Sequence, residues 1–191
     1  MSSDKKDADL AVAARDGDRH AFDELVSRHK EPLFRLARSY IGNSDDAYDV
    51  VQEAFVAAWL ALSRFDPKRD FATWLRTIAL NKCRDFSRRQ AVRRRFLSLF
   101  AREQALPLQS GAGPTSVEQQ ALVEERLVRL ERAVAELPSF YKEPLLLTLV
   151  SGLSHQEAAE QLNTTTKAVE MRTRRARQKV ADALKRFYRE G

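Results

Sequence analysis

The sequence predicts an all-α protein, built as two small helical domains joined by a flexible linker. Three observations lead there. Only six Gly and six Pro punctuate 191 residues, while the good helix formers Ala, Leu, Arg and Glu are plentiful. Apolar residues recur at spacings of three and four through two long stretches of the chain. Between them lies "FLSLFAREQALPLQSGAGPT", residues 96–115, whose two Pro, two Gly and lack of a sustained helical period read as a linker.

From Asp18 to about Arg95, breaks at Pro32, Gly42-Asn43 and Asp66-Pro67 divide the first stretch into about four helices. Ser44 is placed to cap a long helix through about Ser63, with Asp45 and Asp46 complementing the dipole of its first turn. Its inner stripe comprises Val51, Phe55, Ala58, Trp59 and Leu62. Asp70 can cap the next long helix, whose apolar stripe of Phe71, Trp74, Leu75, Ile78 and Phe86 runs into basic residues. Beyond the linker, Ser116 and Gln119 form a capping-box pattern for a helix to about Leu137, with Val123, Leu127, Leu130, Val134 and Leu137 on one side. Pro138 ends it, and another helix runs from roughly Phe140 to Val150 before Gly152. Ser154 and Glu157 form a second capping-box pattern, starting a short helix with Ala158, Ala159 and Leu162 facing inward. Asn163 can adopt the left-handed conformation, and Thr165 or Thr166 can cap the helix that follows. Short helix, tight turn and longer helix make a helix-turn-helix.

On that last helix Val169, Thr173, Ala176 and Val180 share one face, opposite Lys167, Met171, Arg174 and Gln178, which Glu170 and Arg175 flank. From Lys167 to Arg189 nine Lys or Arg stand against two acids, Glu170 and Asp182. Like charges this dense repel along a solvated helix, whereas a DNA-reading helix uses them on guanine and phosphate. The formal net charge of +6 agrees with a nucleic-acid partner. The first block adds a helix of opposite sign: "SDDAYDVVQE" carries Asp45, Asp46, Asp49 and Glu53 without a base, while Lys82 to Arg95 holds seven bases against Asp85 alone. One chain could thus engage a protein with one surface and nucleic acid with another.

Other classes find little support. The single Cys83 excludes an internal disulfide and reads as a small apolar helix residue. No cofactor, metal or small-molecule substrate is expected: His20, His29 and His155 are scattered, no glycine-rich phosphate loop is present, and Asp45, Asp46 and Asp49 read as a first-turn capping cluster. No apolar run reaches the roughly 18 residues of a membrane span, and "MSSDKKDADL" has no signal-peptide core, so a cytoplasmic chain without membrane insertion is expected.

Three segments, "DDAYDVVQEAFVAAWLAL", "FATWLRTIALNKCRDFSRR" and "LSHQEAAEQLNTTTKAVEMRTRRARQKV", resemble bacterial RNA polymerase sigma factors of the sigma-70 family, in the extracytoplasmic-function group. The likeness covers about Ala21 to Arg89 and Val134 to Ala183. It implies a transcription initiation factor, not an enzyme, with a region 2-like domain at residues 1–95, a linker at 96–116 threading toward the RNA exit, and a region 4-like helix-turn-helix domain at 117–191. Its partners would be the polymerase core, through the β′ clamp helices and the β subunit, promoter DNA, and an anti-sigma factor. By the resemblance, Asp49, Gln52, Glu53, Phe55 and Trp59 dock on the β′ clamp helices. The loop from Phe65 to Phe71, with Lys68 and Arg69, would capture a flipped base of the -10 element together with Asn81 and Asp85, while Arg84, Arg88 and Arg89 hold the melted strand. Lys167, Glu170, Met171, Arg172, Arg174, Arg175 and Gln178 would meet the -35 duplex. Arg172 lies toward the packed face, for phosphate contact or for covering the core with its stem.

Asn163 departs from the family's usual turn glycine, and Glu170 stands where a polar or basic residue is frequent; it could accept from cytosine N4 or point away. Pro144 replaces an apolar residue inside a helix, so that helix is expected to start late or kink. The alternative is a stand-alone helix-turn-helix regulator, but it leaves the acidic helix, aromatic loop and basic helix in series without a purpose.

Overall fold

The computed structural model describes residues 6–100 and 117–187, with side chains described over 6–93 and 126–186. These residues form α1 (Asp7–Arg15), α2 (Arg19–Ile41), α3 (Ser44–Ala61), a 3-10 turn (Leu62–Arg64), α4 (Phe71–Phe100), α5 (Val117–Ala135), α6 (Ser139–Leu149), α7 (His155–Gln161) and α8 (Thr166–Phe187). The all-α expectation holds. Among the described residues no helix is long and apolar enough to cross a membrane.

The helix ends follow local chemistry. The Asp18 carboxylate accepts from the Ala21 amide at the start of α2, and Gly42 closes that helix with φ +80°. Asn43, rather than Ser44, caps α3 by accepting from the Asp46 amide at 2.9 Å; Ser44 is its first helical residue. Asp70 caps α4, accepting from both the amide and the hydroxyl of Thr73 at 2.7 Å. Burial pushes this carboxyl up, but the Thr73 hydrogen bonds and Arg76 outweigh it and hold Asp70 below its ordinary value. Ser154 and Glu157 form the full reciprocal capping box of α7. Asn163 turns the chain with φ +49°, and Thr165 caps α8 through the Ala168 amide.

Several expectations need correction. The N-terminal helix α1 went unforeseen; it packs through Leu10, Ala11 and Ala14, while Asp7 meets Arg28 and His29 at 2.9 and 2.7 Å. Pro32 does not divide α2, because Leu25, Leu33, Leu36 and Tyr40 are buried on both sides of it and the exposed ring costs one hydrogen bond. Helix α6 likewise runs through Pro144. Its ring is fully buried as a packing element, and the missing amide deprives only the carbonyl of Phe140, an exposed residue. Phe96 to Phe100, read as linker, continue α4, whereas 101–116, including the proposed cap Ser116, lie outside the described residues. Leu127 and Leu130 are exposed, whereas Leu137, just beyond α5, is buried as expected, together with Ala133.

The two helical blocks share one core. A single buried cluster joins Leu25, Leu36, Tyr40, Val50, Ala54, Leu75 and Leu80 of the first block to Leu146, Leu147, Ala158, Ala159 and Val169 of the second. A smaller cluster of Ala133, Leu137, Leu145, Ala176 and Val180 binds α5, α6 and α8 together. Cys83 is wholly buried, and burial pushes its thiol up to about 12, which suits a packing role.

Candidate nucleic-acid and protein interfaces

Helix α3 is amphipathic with a bare outer side. Asp49, Gln52, Glu53, Val56, Ala57 and Leu60, with Lys82 from α4, line a shallow groove of about 500 Å³. Val56 and Leu60 are 59% and 75% exposed, which singles out this face, since apolar side chains left in water between polar ones mark contact surfaces. The sequence reading missed Val56, Leu60 and Lys82, although the spacing 49, 53, 56, 60 carried the signal. Glu53 reaches Lys82 at 3.5 Å and Arg89 at 3.6 Å, so its charge is partly engaged within the chain. Phe55 is not at the surface: it is 8% exposed and packs edge-on against Phe22. Trp59, also edge-on to Phe22, remains 39% exposed and borders the outer face.

The loop before α4 differs from the expected stacking platform. Phe65 and Phe71 are 5% and 1% exposed, with ring centroids 5.4 Å apart, and both contact Trp74. These rings are core, pinning both ends of the loop; they offer no open face to a base. What the loop presents is polar. Asp66 accepts from the Lys68 amide at 3.0 Å, leaving Lys68 and Arg69 exposed at the tip. One helix further, Asn81, Asp85, Arg88 and Arg89 all lie exposed on α4. Arg84 does not join them freely: it donates to Asn81 at 2.7 Å and to both carboxylate oxygens of Glu143 at 2.6 and 2.5 Å.

Helix α8 matches its sequence reading closely. Val169, Thr173, Ala176 and Val180 are buried, while Lys167, Glu170, Met171, Arg174, Arg175 and Gln178 are exposed. Arg172 is half-buried, its guanidinium 3.8 Å from the centre of the Phe140 ring. Lys179 lies 5.5 Å over Tyr141. Glu170 faces His155 at 3.9 Å, across the turn of the motif. The arrangement holds a short helix against a longer one that turns a cationic edge outward, a shape that fits a DNA major groove.

The chain matches the models "Sigma-70 region 2" over residues 25–93 and "Sigma-70, region 4" over residues 127–180. It is 39% identical to the RNA polymerase sigma factor CnrH of Cupriavidus metallidurans, over 96% of this chain and 97% of that one. To the ECF RNA polymerase sigma-E factor of Escherichia coli it is 32% identical, over 94% and 95% of the two chains. Among solved structures, CnrH in complex with the cytosolic domain of CnrY superposes with a TM-score of 0.67 at 36% identity, covering 94% of this chain and 97% of that one.

Proposed function

The chain belongs to the extracytoplasmic-function group of sigma-70 RNA polymerase sigma factors, and from that membership we propose how its surfaces divide the work of directing polymerase to promoters. Residues 1–95 dock on the polymerase core and hold the -10 element, residues 96–116 link, and residues 117–191 read the -35 element. In this reading Asp49, Gln52, Val56, Leu60 and Trp59 form the core-docking face of α3. Lys68, Arg69, Asn81, Asp85, Arg88 and Arg89 form the -10 surface, with Arg84 joining it when released from Glu143. Lys167, Glu170, Met171, Arg174, Arg175 and Gln178 read bases on the -35 duplex, and Arg172 serves phosphate.

The observation that carries the reading is the outward face of α8, cationic and free of packing along its length. No reaction is assigned to the chain; it acts by binding, inside the cell where polymerase works. CnrH is known in complex with the cytosolic domain of CnrY, and a protein that binds this chain and keeps it from polymerase would serve as its anti-sigma factor. The test is reconstitution of the full chain with bacterial core polymerase, followed by mapping of transcription starts on genomic DNA. Starts that require the chain and share -10 and -35 sequences are expected. A transcript pattern identical to that of core polymerase alone would overturn the reading.

A further inference from the structure

We propose that Asp7 is a positioning residue for the loop between Phe65 and Phe71: through His29 it fixes the ring on which Phe71 rests, and so sets where Lys68 and Arg69 stand when the loop meets the -10 element. The proposal rests on the reading above that this loop belongs to the -10 surface. The contacts start in the first turn of α1. One carboxylate oxygen of Asp7 accepts from Arg28 at 2.9 Å and the other meets Nε2 of His29 at 2.7 Å, both on α2, 21 and 22 positions along the chain. An ionised carboxylate only accepts, so Nε2 carries a hydrogen and α1 sets the orientation of the imidazole. The His29 side chain is 13% exposed, and its ring centroid lies 5.5 Å from that of Phe71 with the planes tilted by 51°. Phe71 opens α4, directly after the cap Asp70 and the exposed Lys68 and Arg69.

The loop has few other anchors. Its internal hydrogen bonds, from the Lys68 amide to the Asp66 carboxylate at 3.0 Å and from the Arg69 amide to the Asp66 carbonyl at 2.9 Å, hold the shape of the turn and not its place on the domain. Its place comes from the buried rings of Phe65 and Phe71. These meet each other and Trp74 of α4, whereas His29 ties Phe71 to α2. Helix α1 packs on α2, on α4 and on the 3-10 turn that leads into the loop, so it touches the elements at both ends of the loop. A close-packed interior transmits a rotated ring instead of absorbing it, and a shift of about 1 Å takes a hydrogen bond beyond its useful range. Charge adds a second constraint. Asp7, Arg28, Arg69 and Asp70 line one shallow recess of about 480 Å³ between α1 and the loop. Arg28 is paired there with Asp7 and Glu24, each at 2.9 Å, whereas Arg69 has Asp66 only at 3.9 Å and stands largely in water, placed for a phosphate or a base. A carboxamide at position 7 has one accepting oxygen in place of two, so it cannot hold Arg28 and His29 together.

The test uses the full chain bound to core polymerase, with forked promoter duplexes that carry the -10 sequence shared by the mapped starts or a single base change within it. Fluorescence anisotropy gives the ratio of affinities for the preferred and altered sequences. Asp7→Asn should lower that ratio roughly threefold or more, and His29→Gln, which removes the ring behind Phe71, should lower it as well. Asp9→Asn, at an exposed acid in the same first turn, should leave it unchanged, and Asp7→Glu, which keeps two accepting oxygens, should restore about half of it or more. Affinity for core polymerase and for a -35 duplex should stay at the wild-type level in all four. A ratio does not depend on the folded fraction, so a merely structural role would weaken every -10 sequence alike and keep the ratio; that result, or an unchanged ratio, would overturn the proposal. His29→Gln keeps the test decisive if Asp7→Asn fails to fold. Failure of the promoter-directing reading shows separately, as absence of transcription starts that depend on the wild-type chain.

Discussion

Two positions apart on α8, Arg172 stacks on the Phe140 ring while Arg174 projects into water, and helical geometry turns that difference into different consequences for DNA. Arg174→Ala should change which -35 sequences are accepted, with a loss of roughly 1–3 kcal/mol on the preferred duplex if the contact is bidentate. Arg172→Ala should weaken all duplexes alike and lower the salt dependence, because its stacked guanidinium is placed for phosphate. Binding of the chain to a duplex library at two salt concentrations separates the two; an even loss for Arg174→Ala would assign it to phosphate as well. Asn81 makes a parallel case on α4. Its side chain is exposed and accepts from Arg84, so Asn81→Ala should impair transcription and relax preference at one -10 position. Equal loss on every promoter would mean that it only orients Arg84.

Helix α3 and helix α7 allow tests at the level of whole elements. Asp49 lies exposed in the α3 groove, and Asp49→Lys leaves the Glu53 pairs with Lys82 and Arg89 in place. Core polymerase affinity should drop roughly tenfold with helicity unchanged; full affinity would remove this face from the docking surface. The capping box of α7 couples that helix to acidity. Hydrogen bonds from the Ser154 amide and side chain hold the Glu157 carboxyl below its ordinary value near 4.5. A depressed carboxyl stabilises the fold above its unfolded value and stops doing so as pH falls through the lower folded value. Thermal melts from pH 6 down to pH 3 should therefore show a loss that Glu157→Gln lacks, and Ser154→Ala should cost about 1 kcal/mol at pH 7. Identical acid profiles for wild type and Glu157→Gln would show that other carboxylates govern that range.

The closed molecule buries Tyr40 between α2 and α6, where burial pushes its phenol up to about 12. Here the neutral form is the one the fold prefers. Its contribution is full below the ordinary tyrosine value of 10.0 and is lost as pH rises through about 12. An alkaline absorbance titration should contain a late phenolate step that Tyr40→Phe removes, and the same substitution should cost about 0.5–1.5 kcal/mol for the hydrogen bond to Ser139. Loss of a step near 10.0 rather than a late one in Tyr40→Phe would mean that this ring is open to water and that α2 and α6 do not pack over it in solution.

Features built from neighbouring residues were legible in the sequence itself: the Ser154–Glu157 box, the left-handed Asn163, the Asp70 cap, and the division of α8 into a buried and a cationic face. Each depends on groups within one or two turns of chain, so spacing and side-chain chemistry are enough to specify it. The exposed face of α3 was half legible, because periodicity alone cannot tell a Val or Leu that packs from one that faces water. Burial of Phe55, Phe65 and Phe71, and exposure of Val56 and Leu60, are decided by which neighbours come to cover them. Tertiary structure alone decided the rest. Pro32 and Pro144 sit inside helices because surrounding packing outweighs one missing hydrogen bond. The meeting of Arg84 with Glu143 and of Tyr40 with Ser139 joins residues 59 and 99 positions apart. No local pattern marks such a pair, since its energy arises only when the folded blocks exclude water from both partners.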